Sequence, residues 1–314
     1  MKNILFICLI VVHVSYMNAQ ENVLQKIKGF ESLDESASSI IVKAYEGDGD
    51  AEANLGYLYE VGGSVFTKPS IENAVFWYKK SADQGHPEGQ YLLGNCYHNG
   101  KGVERSPKMA FSLWEKSAKQ GNCFAQYNLS CAYREGDGVE KNIQKAVEWS
   151  TMSANGGYSV AQFDLAIYYD YGEGVEKNPY TAFKFYEMSA KQGYAPAQYY
   201  LGCDYQLGEG CDKDIEKALH WYKLSAEQGY PDAQYKMGTL LLKGDEIAKD
   251  VSLGFSWLLK AAEAGHVGAM DGVAYCYQIG IGVKADKESA IKWYKKAASQ
   301  GYGPSINELK KLTE

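Results

Sequence analysis

Ser289-Ala290-Ile291-Lys292 places a serine and a lysine at the S-x-x-K spacing of the nucleophile motif in penicillin-recognising enzymes. Acyl transfer of that kind also needs S-D-N and K-T-G segments, and neither occurs. The motif lies in the second helix of a repeating pair, where other copies place Lys145 or Lys217 at the position of Ser289, so it reads as ordinary helix surface rather than as a nucleophile. Metal chemistry finds no better footing. His86, His98, His220 and His266 show no zinc-ligand spacing with one another, with the cysteines or with paired carboxylates. Asp48 to Glu52, "DGDAE", begins like a calcium loop, but Ala53 stands where the sharp-turn glycine belongs and Tyr59 where the bidentate glutamate belongs. No metal, no cofactor and no catalytic residue is therefore expected.

Six cysteines lie beyond the first twenty residues: Cys96, Cys123, Cys131, Cys203, Cys211 and Cys276. Cys123 and Cys131, on one helix, would be about 12 Å apart, beyond the roughly 7 Å a disulfide spans. Cys203 and Cys211 straddle a turn and form a possible disulfide; the alternative is buried free thiols acting as small hydrophobes. Asn128-Leu129-Ser130 is a formal glycosylation sequon that falls inside a predicted helix.

The elements that position these residues are set by an internal repeat. Glycines fall at Gly85, Gly121, Gly157, Gly193, Gly229, Gly265 and Gly301, each 36 residues after the last, and Gly47 precedes them by 38. A period in this range means a stacked array. The longer first interval is a two-residue insertion in the loop Val61 to Ser70. Three residues before each glycine is an alanine, from Ala44 to Ala298, small enough for close helix approach. Trp77, Leu113, Trp149, Phe185, Trp221, Trp257 and Trp293 recur on the same helix and are expected to fill its buried face. The glycine suits the left-handed position after a helix end. Ser70, Ser106, Asn142, Asn178, Asp214, Asp250 and Asp286 fall at equivalent positions and are N-cap residues, with Pro107 and Pro179 following at the first helical position. After each glycine a second amphipathic pattern runs, as in Ala197, Gln198, Tyr199, Leu201, Gly202, Tyr205, ending in turns such as Gly138-Val139, Gly174-Val175 and Gly282-Val283. Each unit is helix, turn, helix, turn, and no strand-like alternation appears.

The combined pattern "LG..Y..G.GV....KA..W...SA..G" resembles the Sel-1-like repeat, a relative of the tetratricopeptide repeat. The resemblance implies an all-α fold, an α-solenoid of stacked antiparallel helix pairs wound as a right-handed superhelix, with about seven 36-residue repeats. It implies a scaffold or adaptor that binds a protein or peptide partner on its concave face. Residues 20–46 are read as an N-terminal cap or degenerate helix, 47–300 as seven repeats and 301–314 as a C-terminal capping helix. Two departures stand out: Gly244-Asp245-Glu246-Ile247 replaces one G-x-G-V, and one unit shifts its tryptophan to Trp114. Some cysteine-rich relatives carry a Cys-x7-Cys pair in every repeat; Cys123 and Cys131, and Cys203 and Cys211, have that count in different columns, so the pairing is not carried over. Because β-lactam binding or hydrolysis has been attributed to such relatives, a cell-wall-type small-molecule binder or hydrolase is the alternative reading.

Specificity in a repeat protein is written in the columns that vary. On the helix following each glycine, offsets 7, 10 and 14 lie opposite the repeated face by the 100° per residue count. The partner-binding set read from them is Asn128, Asp164, Tyr171, Tyr200, Leu207 and Lys236, with Tyr168 and Asp204 on the flank. Tyrosines there supply contact area at low entropic cost; the other reading is a face that is solvated or packed between units.

Charge and the N-terminus complete the expectations. The chain has 32 Lys plus Arg against 39 Asp plus Glu. An acidic balance without a basic stripe argues against a nucleic-acid partner. Residues 1–19, one lysine followed by a short apolar run from Ile4 to Val14 and then Ala19, read as a secretory signal peptide, too short to span a bilayer and implying export to periplasm, cell surface, medium or a secretory lumen. No later segment approaches membrane-spanning length.

Overall fold

The computed structural model describes residues 35–62, 66 and 68–313; the signal-peptide reading of residues 1–19 lies outside the described residues. The described residues form sixteen α-helices and no strand. The described residues divide into two compact units, one ending at Gly157 and the other beginning at Tyr158. The first contains α1 (Glu35–Glu46), α2 (Gly49–Val61), α3 (Ile71–Asp83), α4 (Pro87–Asn99), α5 (Pro107–Lys119), α6 (Cys123–Glu135) and α7 (Ile143–Asn155). The second contains α8 (Ser159–Tyr171), α9 (Pro179–Lys191), α10 (Ala195–Leu207), α11 (Ile215–Glu227), α12 (Pro231–Lys243), α13 (Val251–Glu263), α14 (Val267–Ile279), α15 (Lys287–Ser299) and α16 (Gly303–Thr313). Within each unit consecutive helices pack side by side through short turns, the antiparallel helix-pair arrangement of an all-α solenoid.

Starts and stops are local chemistry. All seven expected N-cap residues accept a backbone N–H from the first turn of their helix, for example Asp214 from Lys217 at 3.0 Å and Asn142 from Lys145 at 2.9 Å. The stop glycines adopt left-handed backbone, Gly229 at φ +89°. Asp48 caps α2 through Ala51 N at 2.8 Å, and Glu52 is fully buried against Gln84 Nε2 at 2.7 Å and Lys80 Nζ at 3.1 Å. The acids of "DGDAE" are thus occupied in capping and pairing.

The deepest core column is one residue beyond the tryptophans. Tyr78, Trp114, Tyr186, Tyr222, Leu258 and Tyr294 are all buried, whereas Trp149, Trp221 and Trp257 are half-buried and only Trp77 and Trp293 are buried in their column. Trp114, which looked displaced, therefore stands in the principal column. Room for these side chains comes from the facing helix: a Cβ on Gly202 would lie 2.7 Å from the Tyr222 ring. Each buried phenol needs an acceptor. Tyr222 donates to Gln206 Oε1 at 2.9 Å, Tyr294 to Gln278 Oε1 at 2.7 Å and Tyr78 to Glu60 Oε2 at 2.8 Å.

Two further polar columns join the two helices of a repeat. The serine of the "SA" pair donates to the first carbonyl of the helix preceding its own, as in Ser225 to Ala195 O at 2.7 Å and Ser117 to Pro87 O at 2.6 Å. The glutamine of "AQY" accepts from a glutamine at the next helix end: Gln198 from Gln228 and Gln162 from Gln192, both at 2.7 Å. Gln234 has the same place, but Ala264 stands where its donor belongs, and Gln234 Oε1 is buried without a hydrogen-bond partner. Restoring the donor with Ala264→Gln is expected to stabilise the protein by about 1 kcal/mol, the net worth of one buried hydrogen bond. A urea-unfolding midpoint unchanged or lowered by the substitution would refute the pairing.

Candidate functional site

On the first helix of each repeat, offsets 14 and 7 stand in two environments. Offset 14 is solvent-facing in the second unit, where Tyr171 is 70% and Leu207 64% exposed. Offset 7 is half-buried. Tyr200 stacks on Tyr186 with ring centroids 5.4 Å apart and meets Phe163 edge-on at 5.4 Å, while Lys236 lays its ammonium over the Tyr222 ring at 5.6 Å. Asp164 is likewise half-buried. Burial first, then the neighbouring Tyr171, Asp232, Cys203 and Asp170, raises the Tyr200 phenol above its ordinary pKa, so it remains a neutral donor. Tyr171, Tyr200 and Leu207 are therefore the members of the expected set with both exposure and contact area to offer a partner.

Tyr168 and Asp204 belong elsewhere. They are 2% and 7% exposed, at offset 11, a column held otherwise by buried Cys96, Ala132, Leu240 and Cys276. Neither presents a surface to a partner; they are corrections to the flank on which the helical count placed them. Comparison of the repeats down that column was the signal that would have assigned them to the interior. Asp204 is the unusual one. Burial, then the nearby Asp170 and Glu209 carboxylates, pushes its pKa up to about 8, and Oδ2 finds no hydrogen-bond partner in the protein.

Cys203 and Cys211 are free thiols in the structure, as are the other four described cysteines. Cys211 occupies the turn position held by Val103, Val139, Ile247 and Val283, which pack onto their local cores. Burial first, then Asp204, pushes the Cys211 thiol up to about 11, so it behaves as a small apolar group rather than a thiolate. Ile247 in the same place shows that the Gly244 turn keeps its packing contact despite its altered text.

In the first unit Asn128 donates from Nδ2 to Asn95 Oδ1 at 2.8 Å, beside Trp114 Nε1, which donates to the same oxygen at 3.0 Å. The sequon that begins at Asn128 includes Ser130, which is buried and donates to Ala146 O at 2.8 Å. A cleft of about 400 Å³ opens beside Asn95, Asn99, Asn128 and Glu135. A second of about 340 Å³ adjoins it, between Tyr57, Leu92 and Phe124, and Tyr91 lines both. Variable offsets thus line cavities as well as open surface.

The S-x-x-K serine has a structural task. Ser289 donates from Oγ to Asp286 Oδ2 at 2.6 Å and accepts nothing from Lys292, while its backbone N–H is held by Asp286 Oδ1 at 3.3 Å. It completes the cap of α15. Among the described residues no three His, Cys, Asp or Glu side chains gather as a metal site, and no helix is long and apolar enough to cross a membrane.

The model of the Sel1 repeat matches residues 49–86, 87–122, 123–158, 159–194, 195–230, 231–266 and 267–302. The chain is similar to a solved protective antigen of uropathogenic Escherichia coli displaying an SLR fold, with 34% identity and a TM-score of 0.75, covering 86% of this chain and 58% of that one. It thus spans under two thirds of that antigen's length. It is also similar to a solved Sel1 repeat protein from Oxalobacter formigenes, with 33% identity, a TM-score of 0.71 and coverage of 95% and 86%. No curated protein matches the chain.

Proposed function

The chain belongs to the Sel1 repeat family, and from that premise we propose that it is a non-catalytic, exported scaffold whose variable first-helix columns bind a protein or peptide partner. The observation that carries the reading is the division of labour between columns. The repeated serines, glutamines, alanines and tyrosines are consumed in holding neighbouring helices together. Offset 14 instead leaves Tyr171 and Leu207 on the surface, and large apolar groups held in water by a rigid helix are what an interface uses. Export is supported by the leader-like text of residues 1–19.

Panning a displayed library of short random peptides on the full chain tests this reading. Enrichment of a convergent peptide set is expected, and Tyr171→Asp with Leu207→Asp should abolish capture of those peptides that dock on the second unit while leaving the melting temperature nearly unchanged. A folded chain that enriches nothing over a blank support contradicts it.

A further inference from the structure

The first unit's two adjoining clefts have complementary chemistry, and the geometry points to a binding groove there for an extended peptide that presents a bulky apolar side chain close to an arginine or lysine. This rests on the peptide-binding reading above and gives it a specificity.

In the larger cleft several hydrogen-bond donors are turned onto the protein's own oxygens. Asn128 Nδ2 and Trp114 Nε1 both point into Asn95 Oδ1, and Asn99 Nδ2 donates to the Asn95 carbonyl at 2.9 Å. His98 Nδ1 and Arg105 face Asp137 at 3.1 and 3.6 Å. The side-chain oxygens of Asn99 and Asn128 remain available, together with the carboxylate of Glu135. Glu135 is held by its chain neighbour Arg134 at 3.5 Å on the surface, an ion pair worth little in water. A cleft with acceptors to spare and no lysine or arginine in its lining is matched by a multi-donor cation. The guanidinium of arginine or the ammonium of lysine meets that description, and a phosphate or carboxylate does not. The net acidic chain favours the same sign of ligand at longer range.

The smaller cleft is the apolar counterpart. Tyr57, 52% exposed, Leu92 and Phe124 form its walls, and Tyr91 stacks beside Phe124 at 5.8 Å between ring centroids. Its one acid, Glu88, is taken by Asn122 Nδ2 at 2.9 Å, so the cavity offers chiefly carbon surface. Because Tyr91 lines both clefts, the two ligand side chains must straddle one ring. Alternate residues of an extended peptide, about 7 Å apart on one side, satisfy that spacing.

The test is fluorescence anisotropy of three labelled peptides, Leu-Ser-Arg, Leu-Ser-Glu and Ala-Ser-Arg on a common Gly-Ser background, against the full chain. The Leu-Ser-Arg peptide should bind tightest, with the glutamate peptide weaker by about tenfold or more, a difference of one decade in Kd. Added salt should weaken the arginine peptides and leave the order of the leucine and alanine peptides unchanged. Glu135→Gln should narrow the Arg-to-Glu gap without touching the Leu-to-Ala gap, and Tyr57→Ala should do the reverse. Both substituted residues are exposed, so an unchanged melting temperature is expected for each. Equal or tighter binding of the glutamate peptide, or variants that weaken all three peptides alike, overturns the inference. If none of the three binds although library peptides are captured, this specificity is wrong and the scaffold reading stands; if the library also enriches nothing, the scaffold reading itself fails.

Discussion

Asp204→Asn is expected to stabilise the folded chain by about 2 kcal/mol at pH 8 and to remove much of its loss of stability between pH 4 and pH 8. The carboxyl sits in a column of apolar residues, with Oδ2 unpartnered and a pKa raised from 3.8 to about 8 by burial and then by Asp170 and Glu209. In the unfolded chain it ionises near its ordinary value. Between those two pKa values the folded state holds a proton that the unfolded state has released, so stability falls as pH rises, by at most about 1.4 kcal/mol per pH unit. The contribution is fully present below the unfolded pKa and is lost through the folded one. Asparagine has no proton to lose and keeps the shape. Denaturant unfolding of both chains from pH 4 to pH 9 isolates the effect as their difference; parallel pH profiles would show that Asp204 titrates normally.

Gly138→Ala is expected to cost about 3–5 kcal/mol, far more than the same change at Gly121. Both glycines have left-handed backbone, φ +76° and +93°. At Gly121 an added methyl would have nothing within 4 Å of it, so alanine there suffers only the backbone penalty, about 1–2 kcal/mol. At Gly138 the added carbon would press on the first residue of α5, 2.6 Å from the Pro107 carbonyl carbon. Backbone cannot swing away as a side-chain tip does. Gly282 meets Val251 in the same way in the second unit, with its would-be Cβ 2.8 Å from the Val251 carbonyl carbon. The second glycine of G-x-G-V is therefore a contact between hairpins as well as a turn residue. Thermal melts of the two alanine variants decide the point, and equal losses would reduce Gly138 to an ordinary turn glycine.

Much of this fold is written locally and was legible. Caps such as Asp214 and stops such as Gly229 act within a few residues, so their types announce them at a fixed period. The principal core column was missed by one residue because Trp221 and Tyr222 are both large and apolar, and a 100° step leaves the choice between adjacent positions open. The serine and glutamine columns were visible as repeats, but their purpose was not, since Ser225 and Gln228 find their partners thirty residues back. On the variable face, exposed Tyr171 and Leu207 followed from the helical count. Tyr168 and Asp204 did not, because an aromatic and an acid looked like surface chemistry while their column in other repeats was cysteine, alanine and leucine. The paired clefts around Tyr91 depend on which amide donors are already used, which no spacing reveals.

The central claim is that columns which repeat hold the stack and columns which vary hold the partner. Amide hydrogen exchange of the full chain, with and without a peptide selected on it, tests that most directly. Added protection is expected on the first helices of the repeats, α4 and α6 or α8 and α10, with α5, α7, α9 and α11 unchanged. Protection concentrated on those second helices, or on the Ser289 segment of α15, would contradict it.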